Sequence, residues 1–265
     1  MKLGVKIWSD NFDSFQAIQK LNSGKLVDYA EIYVIPGTFD ANKLQAIRNV
    51  PVIFHAPHTS HGFNIVGRDK SFSNAVQTIK QFADYFGEKR VIVHPGVSFD
   101  IVSTPEQNIS GYKILEDAGI KLIIENMPRI GIDGKSILFG STPSELKLLL
   151  SAVKSDLCVD IGHAICAANY YKKDPLSFID EFLGLNPFMF HFCDGDYASV
   201  TDVHKSLGEG NFPLTKILTK LTSRKDKKEL IISLETPKKG DLRGLSEDLK
   251  NIARLRGILD PAKLK

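Results

Sequence analysis

Histidine and acidic residues recur in this sequence where short apolar segments end. Four histidines stand at or just beyond such ends: His55, His94, His163 and His191. The other three, His58, His61 and His204, lie in the stretches that follow. Glu125, Asp160 and Glu235 end the segments LIIE, LCVD and ISLE. A carboxylate at the end of an apolar strand is costly to desolvate unless it is paired or bound to a metal. The pattern therefore predicts a metal site.

The mixture of imidazole and carboxylate groups favours Zn, Mn, Fe or Co over Ca. Two local spacings support this prediction. Asp160 and His163 are three residues apart, and we expect the chain to turn from strand into loop between them, with no histidine inside a helix. Asp202 and His204 point to the same side if their segment is extended. An ordinary solvated loop is the alternative for this second pair.

The elements that must position these residues alternate regularly along the chain. Eight short apolar segments rich in Val, Ile and Phe have the length of buried parallel strands. They are 3–7, 30–34, 51–54, 90–93, 121–124, 157–159, 188–192 and 230–234. Helical patterns such as 71–86 lie between them, at a spacing of about 30 residues. This predicts an α/β protein: one (β/α)8 TIM-barrel domain over residues 1–265, with the metal site at the C-terminal mouth of the strands. An open doubly wound sheet is disfavoured because no G-x-G-x-x-G phosphate loop occurs.

Composition excludes several classes of protein. The 265 residues include 34 basic and 31 acidic side chains, a net charge of +3 that is small for a dedicated nucleic-acid binder. Three cysteines (Cys158, Cys166 and Cys193) without C-x-x-C spacing argue against a disulfide framework or a zinc ribbon. No apolar run approaches the roughly 18 residues of a membrane span. We therefore expect a soluble, cytoplasmic protein that does not bind membranes.

An ordered series of motifs resembles a known family. FHAPH, VHPG, ENMP, CVDIGHA, HFCDGD, DVHKSLGEGN and SLETP occur in that order over most of the chain. They are similar to the xylose isomerase-like TIM-barrel superfamily, and most of all to its endonuclease IV (AP endonuclease family 2) branch. The resemblance implies a hydrolase: a metal-dependent phosphoesterase that cleaves a phosphate ester in a small or abasic-sugar substrate.

In the endonuclease IV pattern nine ligands hold three zinc ions, and each ligand has a counterpart of the right type here. The implied ligands are His55 and His94 for the first ion, Glu125 as a bridge to the second, Asp160, His191 and Glu235 for the second, and His163, Asp202 and His204 for the third. Such a cluster would bind the oxygens of a phosphate ester and activate a water molecule. Glu235, together with Glu125, would be catalytic, with Glu235 as the general base.

Sugar and sugar-phosphate isomerases and epimerases of the same superfamily imply an alternative. A single Mn²⁺, Mg²⁺ or Co²⁺ would take Glu125, Asp160, His191 and Glu235, and the two glutamates would move a proton between adjacent carbons. A third alternative is a barrel without enzymatic activity, either one whose metal site is vestigial or one that binds a sugar without turnover. The motifs leave open which substrate is used, DNA or a small molecule, which metal is bound, and the oligomeric state.

Several residues depart from the DNA-repair pattern or are weaker candidates. His58 stands where the resemblance leads us to expect a tyrosine, and the basic loops that grip DNA are missing. Arg129, Lys205 and Lys238 could hold one phosphate of a small substrate. Trp8, with Phe63 and Phe139, could form an apolar wall for a sugar ring, although core packing is an equal alternative for Trp8. His58, Trp8, Arg129, Lys205 and Lys238 are thus the weaker substrate contacts.

Overall fold

Eight parallel strands, hydrogen-bonded in chain order, form a closed barrel in the computed structural model. The structure describes residues 1–98, 101–224, 229–237 and 243–258, with only the backbone of 243–246. The strands are β1 Lys2–Trp8, β2 Tyr29–Tyr33, β3 Val52–His55, β4 Arg90–Val93, β5 Lys121–Glu125, β6 Ser155–Asp160, β7 Met189–Phe192 and β8 Ile231–Leu234. The predicted (β/α)8 barrel is confirmed, and each predicted strand agrees with an observed one to within two residues.

Helices surround the barrel. Within the described residues they are α1 Phe15–Ser23, α2 Ala41–Leu44, α3 Lys70–Phe86, α4 Pro105–Asp117, α5 Pro143–Ala152, α6 Ile161–Tyr170, α7 Pro175–Leu183, α8 Leu214–Thr222 and α9 Arg243–Ile258. Sequence features fix several helix starts. Thr104 and Thr142 each cap a helix that has proline in its first turn, and each forms a capping box with the residue three positions on. None of these helices is long and apolar enough to cross a membrane.

A small apolar cluster fills the interior of the barrel below the mouth. Six consecutive strands, β2 to β7, contribute one residue each: Tyr29, Ile53, Ile92, Ile123, Cys158 and Met189. Gly4 of β1 leaves room for the Tyr29 ring, against which any side chain on this glycine would collide. The Tyr29 hydroxyl pairs with that of Ser233 in β8 at 2.8 Å. This cluster closes the barrel interior beneath the residues that lie at the mouth.

Candidate metal centre

Each of the eight strands places one ionisable side chain directly above the apolar cluster. Successive side chains of a strand point to opposite faces, so the residue two positions beyond an inward-facing one also faces inward. Two positions beyond the cluster residues, and beyond Gly4 and Ser233, the sequence has Lys6, Glu31, His55, His94, Glu125, Asp160, His191 and Glu235. We call these eight residues the ionisable layer. It contains six of the nine predicted metal ligands.

Glu125 lies between two groups of histidines. Its Oε2 is 3.2 Å from Nε2 of His55 and 2.9 Å from Nε2 of His94. Its Oε1 is 2.9 Å from Nδ1 of His191. His55 Nδ1 is 2.7 Å from the carbonyl oxygen of Ala56, so its Nδ1–H donates there and its Nε2 is left for a ligand. One carboxylate thus has its two oxygens directed at two separate groups, which is the arrangement of a bridging ligand.

The second group surrounds His191. Its Nδ1 is 2.7 Å from Oε2 of Glu235 and 3.9 Å from Oδ2 of Asp160. Its Nε2 lies 3.0 Å from Oε2 of Glu31. A carboxylate that accepts a hydrogen bond from one ring nitrogen of a histidine fixes the orientation of the ring and directs the other nitrogen toward a metal. Glu125, Asp160, His191 and Glu235 each offer one atom within 4.8 Å of those of the other three.

Asp160 and His163 lie where β6 passes directly into α6, and here the prediction of a loop was wrong. Oδ1 of Asp160 accepts the backbone N–H of His163 at 2.7 Å and caps the helix. His163 is therefore inside a helix, because the Asp-x-x-His spacing also satisfies an N-cap. Its Nδ1–H donates to the carbonyl of Asn126 at 2.8 Å, which directs Nε2 toward Asp202. Asn126 also bonds both backbone groups of Asp160 and so ties β5 to β6.

The third group includes the loop after β7. Oδ2 of Asp202 is 2.9 Å from Nε2 of His204 and 3.6 Å from Nε2 of His163. The loop is held by Asp194, whose carboxylate accepts backbone N–H groups of Gly195, Gly208 and Phe212. Asp202 and His204 are only 18% and 25% exposed. The structure thus brings these two residues to the mouth instead of leaving them in a solvated loop.

The pKa values show a network of opposite charges. Burial would raise the pKa of Glu125, but His191 and His94 outweigh it and hold this pKa well below its usual range. Burial would likewise raise the pKa of Glu235, and Lys6 and His191 lower it. Burial opposes the charge of His204 too, yet Asp202 raises its pKa to about 9. The pKa values of His163, His191 and His204 are raised, so in the metal-free chain protons on these three imidazoles would balance the carboxylates, and a cation would replace them.

Sequence reasoning missed Lys6 and Glu31. Nζ of Lys6 is 2.6 Å from Oε1 of Glu235 and 3.6 Å from Oε1 of Glu31, and all three side chains lie in the barrel interior. Burial would lower the pKa of Lys6, but Glu235, Glu31 and Glu125 outweigh it and raise this pKa. The signal for both is a charged residue inside an otherwise apolar segment. In each case it stands two positions after another residue that faces the barrel interior.

The residues predicted as weaker substrate contacts lie in different environments. Trp8 is 49% exposed at the end of β1 and its ring lies 5.8 Å from that of Tyr33, so it is at the mouth and not in the core. Phe63 and Phe139 are buried in the main core, so their prediction as part of an apolar wall for a sugar ring was wrong. Nη1 of Arg129 donates to Glu145 and to the carbonyl of Leu138. The backbone of Lys205 pairs with Asp194, and Lys238 lies outside the described residues.

Two buried atoms support the binding of cations at this centre. Among the described residues, Oδ2 of Asp160 and Nε2 of His58 are buried without a hydrogen-bond partner. A buried polar atom left unpaired costs about 1–3 kcal/mol. The donors around them, imidazole nitrogens and carboxylate oxygens, suit zinc and related divalent ions. The residues present therefore fit the predicted metals.

The sequence matches the model of the xylose isomerase-like TIM-barrel family over residues 22–256. The chain belongs to this family. That membership confirms the predicted superfamily. Over 143 residues the chain is 31% identical to the uncharacterized protein MJ1311 of Methanocaldococcus jannaschii, and this match covers 49% of the chain and 45% of that protein. The chain therefore matches less than half the length of this relative.

Solved structures of the xylose isomerase-like family superpose on nearly the whole chain. A D-tagatose 3-epimerase-like protein has a TM-score of 0.72 at 22% identity and covers 98% of this chain and 97% of its own. Endonuclease IV from Thermus thermophilus has a TM-score of 0.71 at 23% identity and covers 98% of this chain and 99% of its own. These likenesses establish the fold. Any choice between an epimerase-like and an endonuclease-like activity depends on the side chains of the site.

Proposed function

We propose that this protein is a metal-dependent phosphoesterase with a multinuclear, three-zinc site like that of endonuclease IV. The observation that supports it best is the pair of oxygens of Glu125, directed at His55 and His94 on one side and at His191 on the other. A mononuclear site needs only one of these two oxygens as a ligand. Asp202, His163 and His204 add a third set of donors that a four-ligand isomerase site does not need.

The proposed ligands are the nine predicted from the sequence: His55, His94, Glu125, Asp160, His163, His191, Asp202, His204 and Glu235. Zinc ions bound there would supply Lewis-acid stabilisation to the oxygens of a phosphate ester and lower the pKa of a water molecule. The chain itself supplies the base. Oε1 of Glu235 is held by Lys6 at 2.6 Å and lies 4.0 Å from Nδ1 of His204, so this carboxylate stands between the second and third groups.

The substrate in this proposal is a small phosphate ester or an abasic sugar. The exposed ring of Trp8 packs edge to face against His61, with centroids 6.3 Å apart, and offers an apolar surface for a sugar ring at the rim. Nη1 of Arg129 is paired with Glu145 at 3.1 Å, so this guanidinium is already partly neutralised and contributes less to phosphate binding. Phosphate contacts supply much of the affinity of DNA binders, which favours a small substrate over duplex DNA.

The alternative is a sugar or sugar-phosphate isomerase or epimerase with one Mn²⁺, Mg²⁺ or Co²⁺. One observation favours it: Glu125, Asp160, His191 and Glu235 form a complete four-donor group on their own. In that case Glu125 and Glu235 would hold and move the proton, and Lys6 would keep Glu235 ionised. A cytoplasmic location is part of both proposals, since the three cysteines are free and buried.

The experiment is elemental analysis of protein purified without chelator or affinity-column metal, followed by assays of phosphate-ester hydrolysis. Two to three equivalents of zinc, and hydrolysis lost in Asp202→Asn, would support the phosphoesterase. Asp196→Asn is the matched control, because it is an exposed aspartate of the same loop. One labile ion, and an Asp202→Asn variant that isomerises sugars normally, would refute it. An abasic-site duplex added to the same assay tests the DNA substrate directly.

A further inference from the structure

Two histidine rings at the mouth, those of His58 and His61, remain after the nine proposed ligands are assigned, and His58 is the one that packs against His55 and His94. His58 lies three residues after His55 in the loop that leaves β3. Its ring stacks on that of His94, with centroids 4.7 Å apart and planes 19° apart. Its Nε2 is the buried atom noted above that has no hydrogen-bond partner among the described residues. A cation next to this nitrogen would satisfy it.

The distances allow that cation to be shared. His55, His58 and His94 each offer one ring nitrogen, and the three atoms lie within 4.8 Å of one another. An ion placed centrally among three such atoms is at most about 2.8 Å from each of them. A zinc–nitrogen bond is about 2.0–2.1 Å long. A movement of about 0.7 Å per ring would therefore bring all three nitrogens into coordination.

The barrel itself fixes the position of His58. Its backbone N–H donates to the hydroxyl oxygen of Tyr33 at 2.7 Å, and the two rings meet edge to face at 4.9 Å. Tyr33 ends β2 and is buried, and its hydroxyl is hydrogen-bonded to Nδ1 of His61 at 2.9 Å. A residue of the sheet thus holds the start of the loop, so little ordering entropy would be lost when His58 binds an ion.

We propose that His58 is the fourth ligand of the first metal position and completes, with His55, His94 and Glu125, a set of three imidazoles and one carboxylate. Four protein ligands close a tetrahedral shell, as in structural zinc sites, whereas catalytic zinc keeps one position open. The first ion would then be held tightly and would act through Glu125, while the substrate binds at the other two positions. This inference rests on the metal centre of the proposed function but not on its reaction.

The first test is metal retention. Purified wild-type protein, His58→Ala and His58→Gln are dialysed against a series of chelator concentrations, and the zinc that remains is measured. We expect the most tightly held ion to leave each His58 variant at a chelator concentration at least about tenfold lower, since even outer-shell changes commonly cost tenfold. His61→Ala is the matched control: it lies in the same loop, pairs with Tyr33 and is in none of the ligand groups formed by the part of the chain that the structure describes. Its retention should equal that of the wild type.

The second test is the visible spectrum of the protein loaded with one equivalent of Co²⁺, which absorbs more strongly in four-coordinate than in six-coordinate sites. We expect strong absorption in the wild type and His61→Ala, and weaker absorption in both His58 variants. Retention and spectra unchanged by both His58 substitutions would overturn the assignment. A chain that holds the ion through His58 but hydrolyses no phosphate ester would support the assignment and refute the proposed reaction.

Discussion

Replacement of Lys6 by methionine should destabilise the metal-free protein strongly. Lys6 is 7% exposed, and its Nζ lies 2.6 Å from Glu235 and 3.6 Å from Glu31. Unit charges about 4 Å apart attract by about 4 kcal/mol at an effective dielectric constant of about 20. The methionine keeps most of the volume but removes the lysine cation from two buried carboxylates, which then have His191 as their neighbouring cation. Removal of one partner of a buried pair typically costs about 3–5 kcal/mol, and we expect Lys6→Met to lower the free energy of unfolding by that amount.

The assay is urea unfolding at pH 7 of protein stripped with chelator. Lys2→Met is the matched control, because Lys2 is on the same strand and its ion pair with Glu229 at 3.3 Å is exposed. An exposed pair contributes up to about 1 kcal/mol, so this variant should unfold almost as the wild type does. Addition of Glu31→Gln to Lys6→Met should recover part of the loss, because it leaves Glu235 as the one carboxylate that His191 must balance of the two that Lys6 contacts. The reasoning is refuted if Lys6→Met and Lys2→Met cost the same.

Three further predictions concern the metal centre. Glu125→Gln should lose about two ions on elemental analysis, whereas Asp202→Asn should lose about one, because Glu125 contacts two groups and Asp202 contacts the third group alone. Equal losses would contradict the bridge. Gly162→Ala should weaken the binding of the most labile ion, because the new methyl group would lie 3.2 Å from carboxylate oxygens of Asp160 and Asp202. Thermal stability should not fall, since alanine favours the helix. Unchanged metal retention would count against this. In metal-free protein, His204→Asn should lower the free energy of unfolding most at a pH below about 6.5, the pKa of histidine in the unfolded chain. The difference from the wild type should disappear as the pH rises through about 9, because the pKa of His204 is raised to that value in the folded state. Urea unfolding at several pH values checks the direction.

The sequence predicted the barrel well because its strands are short apolar segments at a regular spacing, and the carboxylates at their ends are conspicuous there. His55, His94 and Glu125 could be placed at the mouth from strand order alone. Lys6 and Glu31 could not, since the prediction used polar residues at strand ends and these two stand inside strands. His163 was placed in a loop because an N-cap aspartate and a metal-ligand aspartate have the same spacing to the histidine that follows. The occupation of Arg129 by Glu145 depends on a contact between residues 16 positions apart, which no local pattern reveals.

The ionisable layer makes the assembly of the site inseparable from the closure of the barrel. Each strand contributes one member of the layer, and β1 is hydrogen-bonded to β8, so Lys6 meets Glu235 only when the ring of strands is complete. A nascent chain that has emerged from the ribosome as far as β7 has every other member of the layer but lacks Glu235. An unfinished barrel would therefore expose unbalanced charges in its interior. Tight metal capture and full stability should arrive together, when the eighth strand enters the sheet.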